Sequence, residues 1–199
     1  MKLLPLSILI ICFMISCTSK PTSSVELKST VESVEPPVLS SNVSTAKMPA
    51  DPSQFPYAVA LKDKNKIEQK SYEVLGQQDK PTVMLFWLTT CGPCAREIKA
   101  IRENYELWQK DTPFHLVAMS MDREENYPAF IDRVASEQWQ FAAYWDFNRE
   151  FKALMPGHLN GLPQTFIFDK KGKLTWSKRG YLPGDEFTFF EKIKEAVKS

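Results

Sequence analysis

Phe86-Trp87-Leu88-Thr89-Thr90-Cys91-Gly92-Pro93-Cys94 is the stretch on which the fold turns. Leading into it, Pro81 to Trp87 is an apolar run of the kind buried at the centre of a sheet. Beyond it, Cys94, Ile98, Ile101, Tyr105 and Trp108 recur at three- and four-residue spacing, which predicts a helix with Pro93 tolerated in its first turn. A buried strand therefore runs into a helix that begins at Cys91. Unpaired backbone N–H groups and the positive end of the helix dipole favour a thiolate there, so Cys91 is the expected nucleophile. Cys94, one turn further in, is placed to attack a mixed disulfide formed at Cys91 and to leave a Cys91–Cys94 disulfide behind.

Outward from this centre the texture alternates between strand and helix. Tyr57 to Leu61 and Lys66 to Tyr72 read as short strands, and Phe114 to Ser120 as a buried one. A helix is expected from about Asn126 to Glu137, then a strand from Phe141 to Trp145, with Asp146 capping a short helix that runs to Leu154. Thr165 to Asp169 and Leu174 to Arg179 flank Lys170-Lys171-Gly172-Lys173, a hairpin signal with its glycine in the turn. Gly184 to Val197 reads as a closing helix. Alternation followed by a terminal hairpin implies an α/β fold, a mixed central sheet with helices on both faces.

The N-terminal segment has the layout of an export signal. Lys2 precedes an apolar run from Leu6 to Ile15 that is short for a bilayer span, and the run ends at Ser16-Cys17. Met14-Ile15-Ser16-Cys17 resembles the cleavage box of bacterial lipoproteins, which implies a signal over residues 1–16 and lipid on Cys17. An uncleaved anchor or an ordinary secretory signal are the alternatives. Residues 17–51, rich in Ser, Thr, Val, Pro and Glu, read as a solvated tether, which leaves 52–199 as one domain. With Cys12 in the apolar signal and Cys17 taken by lipid, Cys91 and Cys94 are the domain's only thiols.

Charge narrows the partners. The chain carries 25 Lys+Arg against 24 Asp+Glu, and removing residues 1–16 takes away only Lys2, leaving 24 of each sign. No basic block is present to release counterions from a phosphate backbone, so nucleic acid is not an expected partner. Two structural readings of the cysteine pair are weak. A zinc site needs two further ligands, and the domain offers only His115 and His158. A structural disulfide closing so small a ring removes little unfolded-state entropy.

The quoted stretch, together with Leu162-Pro163-Gln164-Thr165-Phe166-Ile167-Phe168-Asp169 and Gly180-Tyr181-Leu182-Pro183-Gly184, resembles the thioredoxin fold, and within it the membrane-tethered reductases related to ResA and TlpA. The likeness runs from about Phe55 to the C-terminus. It implies a thiol-disulfide oxidoreductase of the cell envelope without a cofactor, acting on disulfide-bearing envelope proteins. A membrane thiol donor would re-reduce it, Cys17 would hold it to the lipid membrane, and apocytochrome c is a family-level substrate. By the same likeness, the proline matching Pro163 follows a cis peptide bond and lies against the cysteines, with Leu162 and Gln164 beside it in substrate binding. From the residues alone, Pro163 merely opens a strand.

Spacing leaves two roles for Glu97. It falls about 60° from the centre of the helix's apolar face, so it either takes the proton of Cys94 or simply reaches water. The resemblance favours the acid-base role. Two positions depart from the thioredoxin pattern: Leu85 stands where thioredoxin has a buried Asp, and Thr90 where it has a Trp. Two rivals complete the reading. A peroxidase of the peroxiredoxin type shares the fold, but its usual Thr three residues before the cysteine is Leu88 here. A copper carrier would use Cys91, Cys94 and either His158 or a methionine, because soft thiolates suit Cu(I). Gly92-Pro93 matches reducing thioredoxins, while the direction of electron flow is set by the folded site's reduction potential.

Overall fold

A computed structural model describes residues 47–76 and 79–199. The expected signal over 1–16, Cys17 and nearly all of the tether lie outside the described residues. Among the described residues no helix is long and apolar enough to cross a membrane.

Seven strands form one mixed sheet: β1 Ala60–Lys62, β2 Glu68–Lys70, β3 Thr82–Trp87, β4 His115–Ser120, β5 Ala142–Trp145, β6 Gln164–Phe168 and β7 Leu174–Arg179, in the spatial order β2-β1-β5-β4-β3-β6-β7. β3, β4 and β5 run parallel, and the flanking pairs are antiparallel. β3 sits between β4 and β6, and all six of its residues are buried. Its alternation divides the core. Val83, Leu85 and Trp87 face one cluster, and Met84 and Phe86 face the other.

Helices cover both faces, as the sequence implies: α1 Ser71–Leu75, α2 Gly92–Asp111, α3 Tyr127–Ser136, α4 Phe151–Leu154 and α5 Asp185–Val197. On the first face α2 contributes Cys94, Ile98, Ile101 and Trp108, with Phe130 from α3 and Phe189 and Ile193 from α5. Trp108 stacks on Phe190 at 4.8 Å, joining α2 to α5. On the second face Phe86 meets Phe151 of α4 at 5.4 Å and Phe166 of β6 at 5.8 Å, both edge-on. Aromatic pairs of this kind add about 0.5–1.5 kcal/mol each beyond their buried area. The two clusters clamp β3 from opposite sides, and four residues separate its end from the start of α2.

One expectation is corrected. Lys66 to Tyr72 is not a single strand, because β2 ends at Lys70 and Ser71 opens α1. The switch is made by two bonds: the Lys70 N–H donates to the Glu73 carboxylate at 2.9 Å, and the Val59 N–H donates to the buried Ser71 hydroxyl at 2.9 Å. The remaining elements appear within a few residues of their expected positions, helix ends being the least sharply defined. A 3-10 turn, Glu124–Asn126, precedes α3. Asp146 lies four residues before Glu150, the N-cap of α4, and its carboxylate still serves the helix start, accepting from the Glu150 and Phe151 N–H groups at 3.0 and 2.9 Å. In the β6–β7 hairpin, Gly172 has φ 78°, and a Cβ there would come within 2.7 Å of the Phe55 ring.

Candidate active site

Cys91 is the N-cap of α2, and its Sγ accepts the Cys94 N–H at 3.2 Å. The two sulfurs are bonded to each other, with the Cα atoms 5.2 Å apart. Exposure separates them: Cys91 is half-buried and Cys94 is fully buried at 0 %. An incoming sulfur can therefore meet only Cys91, and Cys94 can act only from inside. The carbonyl oxygen of Leu162 lies 3.7 Å from Cys91 Sγ.

The loop between β3 and Cys91 is fixed by a residue 33 positions on. Asp122, fully buried just beyond β4, accepts the Thr89 N–H at 2.9 Å and the Thr89 hydroxyl at 2.8 Å, while the Ser120 hydroxyl donates to it at 2.8 Å. Its carbonyl also accepts the Trp145 indole N–H at 2.8 Å. These charge-assisted bonds offset the cost of burying a carboxylate and hold the loop at a fixed height above the sheet.

Glu97 is buried at 8 % exposure. One carboxylate oxygen accepts the Thr165 hydroxyl at 3.0 Å, and the other, Oε2, is buried without a partner. Desolvation pushes its pKa up to about 7, against the opposing pull of the Thr165 hydrogen bond. The nearby Lys178 and Asp185, paired with each other at the surface, act in opposite directions on it. Glu97 thus sits one turn beyond Cys94, on the same buried flank of α2, able to hold or release a proton near neutrality. Leu85 is buried in the cluster that holds Cys94, so the carboxylate that thioredoxin has at that position is replaced by packing.

The Leu162–Pro163 bond is cis. Leu162 is half-buried and lines the cleft beside Cys91, and Pro163 lies buried behind it, with its carbonyl accepting the Gly180 N–H at 2.7 Å. Gln164 is placed differently. It is buried within β6, pairs with Phe86 and Arg179, does not line the cleft, and has an unpartnered Oε1. The structure thus gathers Cys91, Cys94, Glu97, Leu162 and Pro163 and holds Gln164 inside the sheet. His158 is exposed in the 3-10 turn Pro156–Leu159 and is not part of the cleft lining.

Sequence reading missed three contributors. Asp122 and Thr165 carry weak local signals: an acidic residue just past a buried strand, and a hydroxyl two positions after Pro163, hence on the opposite strand face from Gln164. The third is a pair of cations, Arg149 and Lys152, on the cleft wall.

Comparison with known proteins agrees with this geometry. The sequence profile described as the AhpC/TSA family matches residues 53–177. The chain is 28% identical over 108 residues to thiol-disulfide oxidoreductase ResA of Geobacillus thermodenitrificans (strain NG80-2), covering 54% of this chain and 59% of that protein. It is 22% identical over 105 residues to sporulation thiol-disulfide oxidoreductase A of Bacillus subtilis (strain 168), covering 53% and 62%. The chain thus spans about three fifths of the length of the curated relatives it matches. The solution structure of a thioredoxin-like protein from Porphyromonas gingivalis superposes with a TM-score of 0.61 at 33% identity, covering 71% of this chain and 90% of that one.

Proposed function

This chain belongs to the AhpC/TSA family and has a thioredoxin-like fold, and from that premise we propose that it is a thiol-disulfide oxidoreductase working through Cys91 and Cys94. The observation that carries the reading is the asymmetry of the pair: a reachable sulfur at a helix N-terminus bonded to an unreachable one, one turn from a buried carboxyl with a free oxygen.

The cycle runs as follows from the dithiol form. The Cys91 thiolate attacks one sulfur of a substrate disulfide. The substrate S–S bond breaks, a mixed disulfide forms at Cys91, and the departing substrate thiolate takes up a proton. Cys94 then gives its proton to Glu97 and attacks Cys91 Sγ. The second substrate sulfur leaves as thiolate, and the Cys91–Cys94 disulfide seen here is the product. Two electrons have passed from the protein dithiol to the substrate disulfide, and a thiol donor restores the dithiol by the reverse exchange. Leu162 and Pro163 form the ledge against which the substrate chain lies, and the Leu162 carbonyl beside Cys91 is an acceptor for the thiol form.

The finer reading is a lipid-anchored envelope protein, held through Cys17, that is re-reduced by a membrane thiol donor and serves envelope substrates such as apocytochrome c. Its support is the Met14-Ile15-Ser16-Cys17 box and the long polar segment behind it. Metabolic fatty-acid labelling tests the anchor, since Cys17→Ala should abolish incorporation. The activity itself is tested by reducing a model protein disulfide with the purified chain and a thiol donor. Turnover that vanishes in Cys91→Ser supports the reading. Rapid oxidation of Cys91 by peroxide without disulfide reduction overturns it in favour of a thiol peroxidase.

A further inference from the structure

Next to Cys91 the surface opens into a cleft of about 500 Å³ with a two-part lining. Its apolar part comes from Leu88 after β3, Met121 after β4, and Leu159 and Leu162 around the turn before β6. Its polar part has Thr90 and Asn160 and two cations, Arg149, just before α4, and Lys152, inside α4, with no carboxylate among the lining residues. Neither cation is paired with an acid among the described residues, although seven such pairs form elsewhere on the protein.

Arg149 is held in place. Its backbone is left-handed, at φ 58°, and its N–H donates to the Asp146 carbonyl at 3.0 Å in the same turn that Asp146 caps. Its Nε is buried without a partner. A buried donor without an acceptor is costly, so Arg149 keeps hydrogen-bonding capacity that the rest of the fold leaves unused. An arginine on a fixed backbone and an exposed lysine beside an apolar floor, in the same cleft as Cys91, define the chemistry of what fits: an apolar side chain and a carboxylate on one extended segment.

The geometry points to a substrate preference, resting on the disulfide-reducing reading above. The cleft takes a cysteine-bearing peptide segment in which an apolar and an acidic side chain adjoin the cysteine, the apolar one on Leu88, Met121, Leu159 and Leu162 and the carboxylate between Arg149 and Lys152.

The test uses three synthetic peptides that differ at one residue, Cys-Leu-Glu, Cys-Leu-Gln and Cys-Leu-Lys, each capped on its cysteine as the mixed disulfide with neutral 2-mercaptoethanol. The full chain, reduced beforehand, is assayed in single turnover for the second-order rate constant of peptide reduction at low salt and in 0.5 M NaCl. The Glu peptide should exceed the Lys peptide by about tenfold at low salt and by about twofold at high salt, because screening weakens exposed charge pairs. Lys152→Glu, an exposed position whose thermal midpoint reports folding, should bring the Glu-to-Lys ratio to about one or below. Equal rates for Glu and Lys peptides in the unaltered protein, with the Gln peptide reduced normally, overturn the preference and leave the redox reading standing. No reduction of any peptide overturns both. A rate per molecule that falls as protein concentration rises places a second copy of the chain in the cleft, and also overturns the preference.

Discussion

Asp122, at the end of β4, and Glu97, in the second turn of α2, are both buried acids on the approach to the Cys91–Cys94 pair, and the fold treats them in opposite ways. Asp122 receives three donors within 2.9 Å and has no unpartnered oxygen. Glu97 receives one, from Thr165, and keeps Oε2 bare. A carboxylate with its hydrogen bonds made is a joint, since its desolvation is offset and moving it breaks several bonds at once. One left half-made is held nearer its neutral form and can exchange a proton with little rearrangement. The comparison separates a residue that positions Cys91 from one that serves Cys94.

The largest effect comes from removing either sulfur of the pair that the two acids serve. Cys91→Ser should abolish turnover of a model disulfide, while Cys94→Ser should stall with substrate attached, visible as a mixed disulfide on a non-reducing gel. Next in size is the joint. Asp122→Ala strands the Thr89 N–H and two hydroxyls in a buried place, so a urea titration should show stability lower by roughly 2–4 kcal/mol. Activity should fall with it, because the loop bearing Cys91 loses its anchor. An Asp122→Ala protein as stable as the parent would erase the distinction.

Glu97→Gln sharpens the contrast because stability and rate should move in opposite directions. The folded protein holds the Glu97 proton up to about pH 7, whereas the carboxyl's ordinary value is 4.5. Between those values the folded state binds more protons than the unfolded chain, so stability falls as pH rises through that window and levels off above it. Gln carries no charge to desolvate. The variant should therefore match the parent below pH 4 and exceed it by about 3 kcal/mol at pH 8. Resolution of the mixed disulfide should meanwhile slow by at least about tenfold at pH 7 and lose its inflection near that pH. Asp122→Asn should give no such gain, since its partners are donors that a carboxamide nitrogen cannot satisfy.

What the sequence made legible follows the range of each interaction. The buried strand, the helix after it and the roles of its two cysteines are written within some twenty residues, so apolar runs and helical spacing disclose them. The Thr89–Asp122 and Thr165–Glu97 bonds span 33 and 68 positions, and no period or motif connects their ends. Glu97 could be placed at the margin of an apolar face, but whether it reached water depended on where β6 would lie. The same limit explains Lys66 to Tyr72, which read as a strand until the tertiary bond from Val59 to Ser71 made its last two residues the start of a helix. It also explains Gln164, whose place beside Pro163 suggested the substrate ledge while the strand's alternation turned it into the sheet. Arg149 and Lys152 carry no motif of their own, and only the turn bonded to Asp146 brings them to the cleft beside Cys91.

Thr165→Val carries the smallest effect and tests the comparison at its finest point. Among the described residues the Thr165 hydroxyl is the one donor to the Glu97 carboxylate, and its bond pulls the carboxyl's pKa down against desolvation. Valine keeps the shape and removes the donor, which leaves both carboxylate oxygens bare and drives the pKa above 7. The proton acceptor is then ionised only at higher pH. The rising limb of the resolution rate against pH should move upward while the plateau rate changes by no more than a few-fold, since the carboxylate remains next to Cys94. Stability at pH 8 should drop by about 1 kcal/mol, the worth of one hydrogen bond to a charged group less its desolvation. If the limb stays in place, Glu97 is not the group that titrates in the resolving step. It would then be a buried acid tolerated by the fold, no different in kind from Asp122.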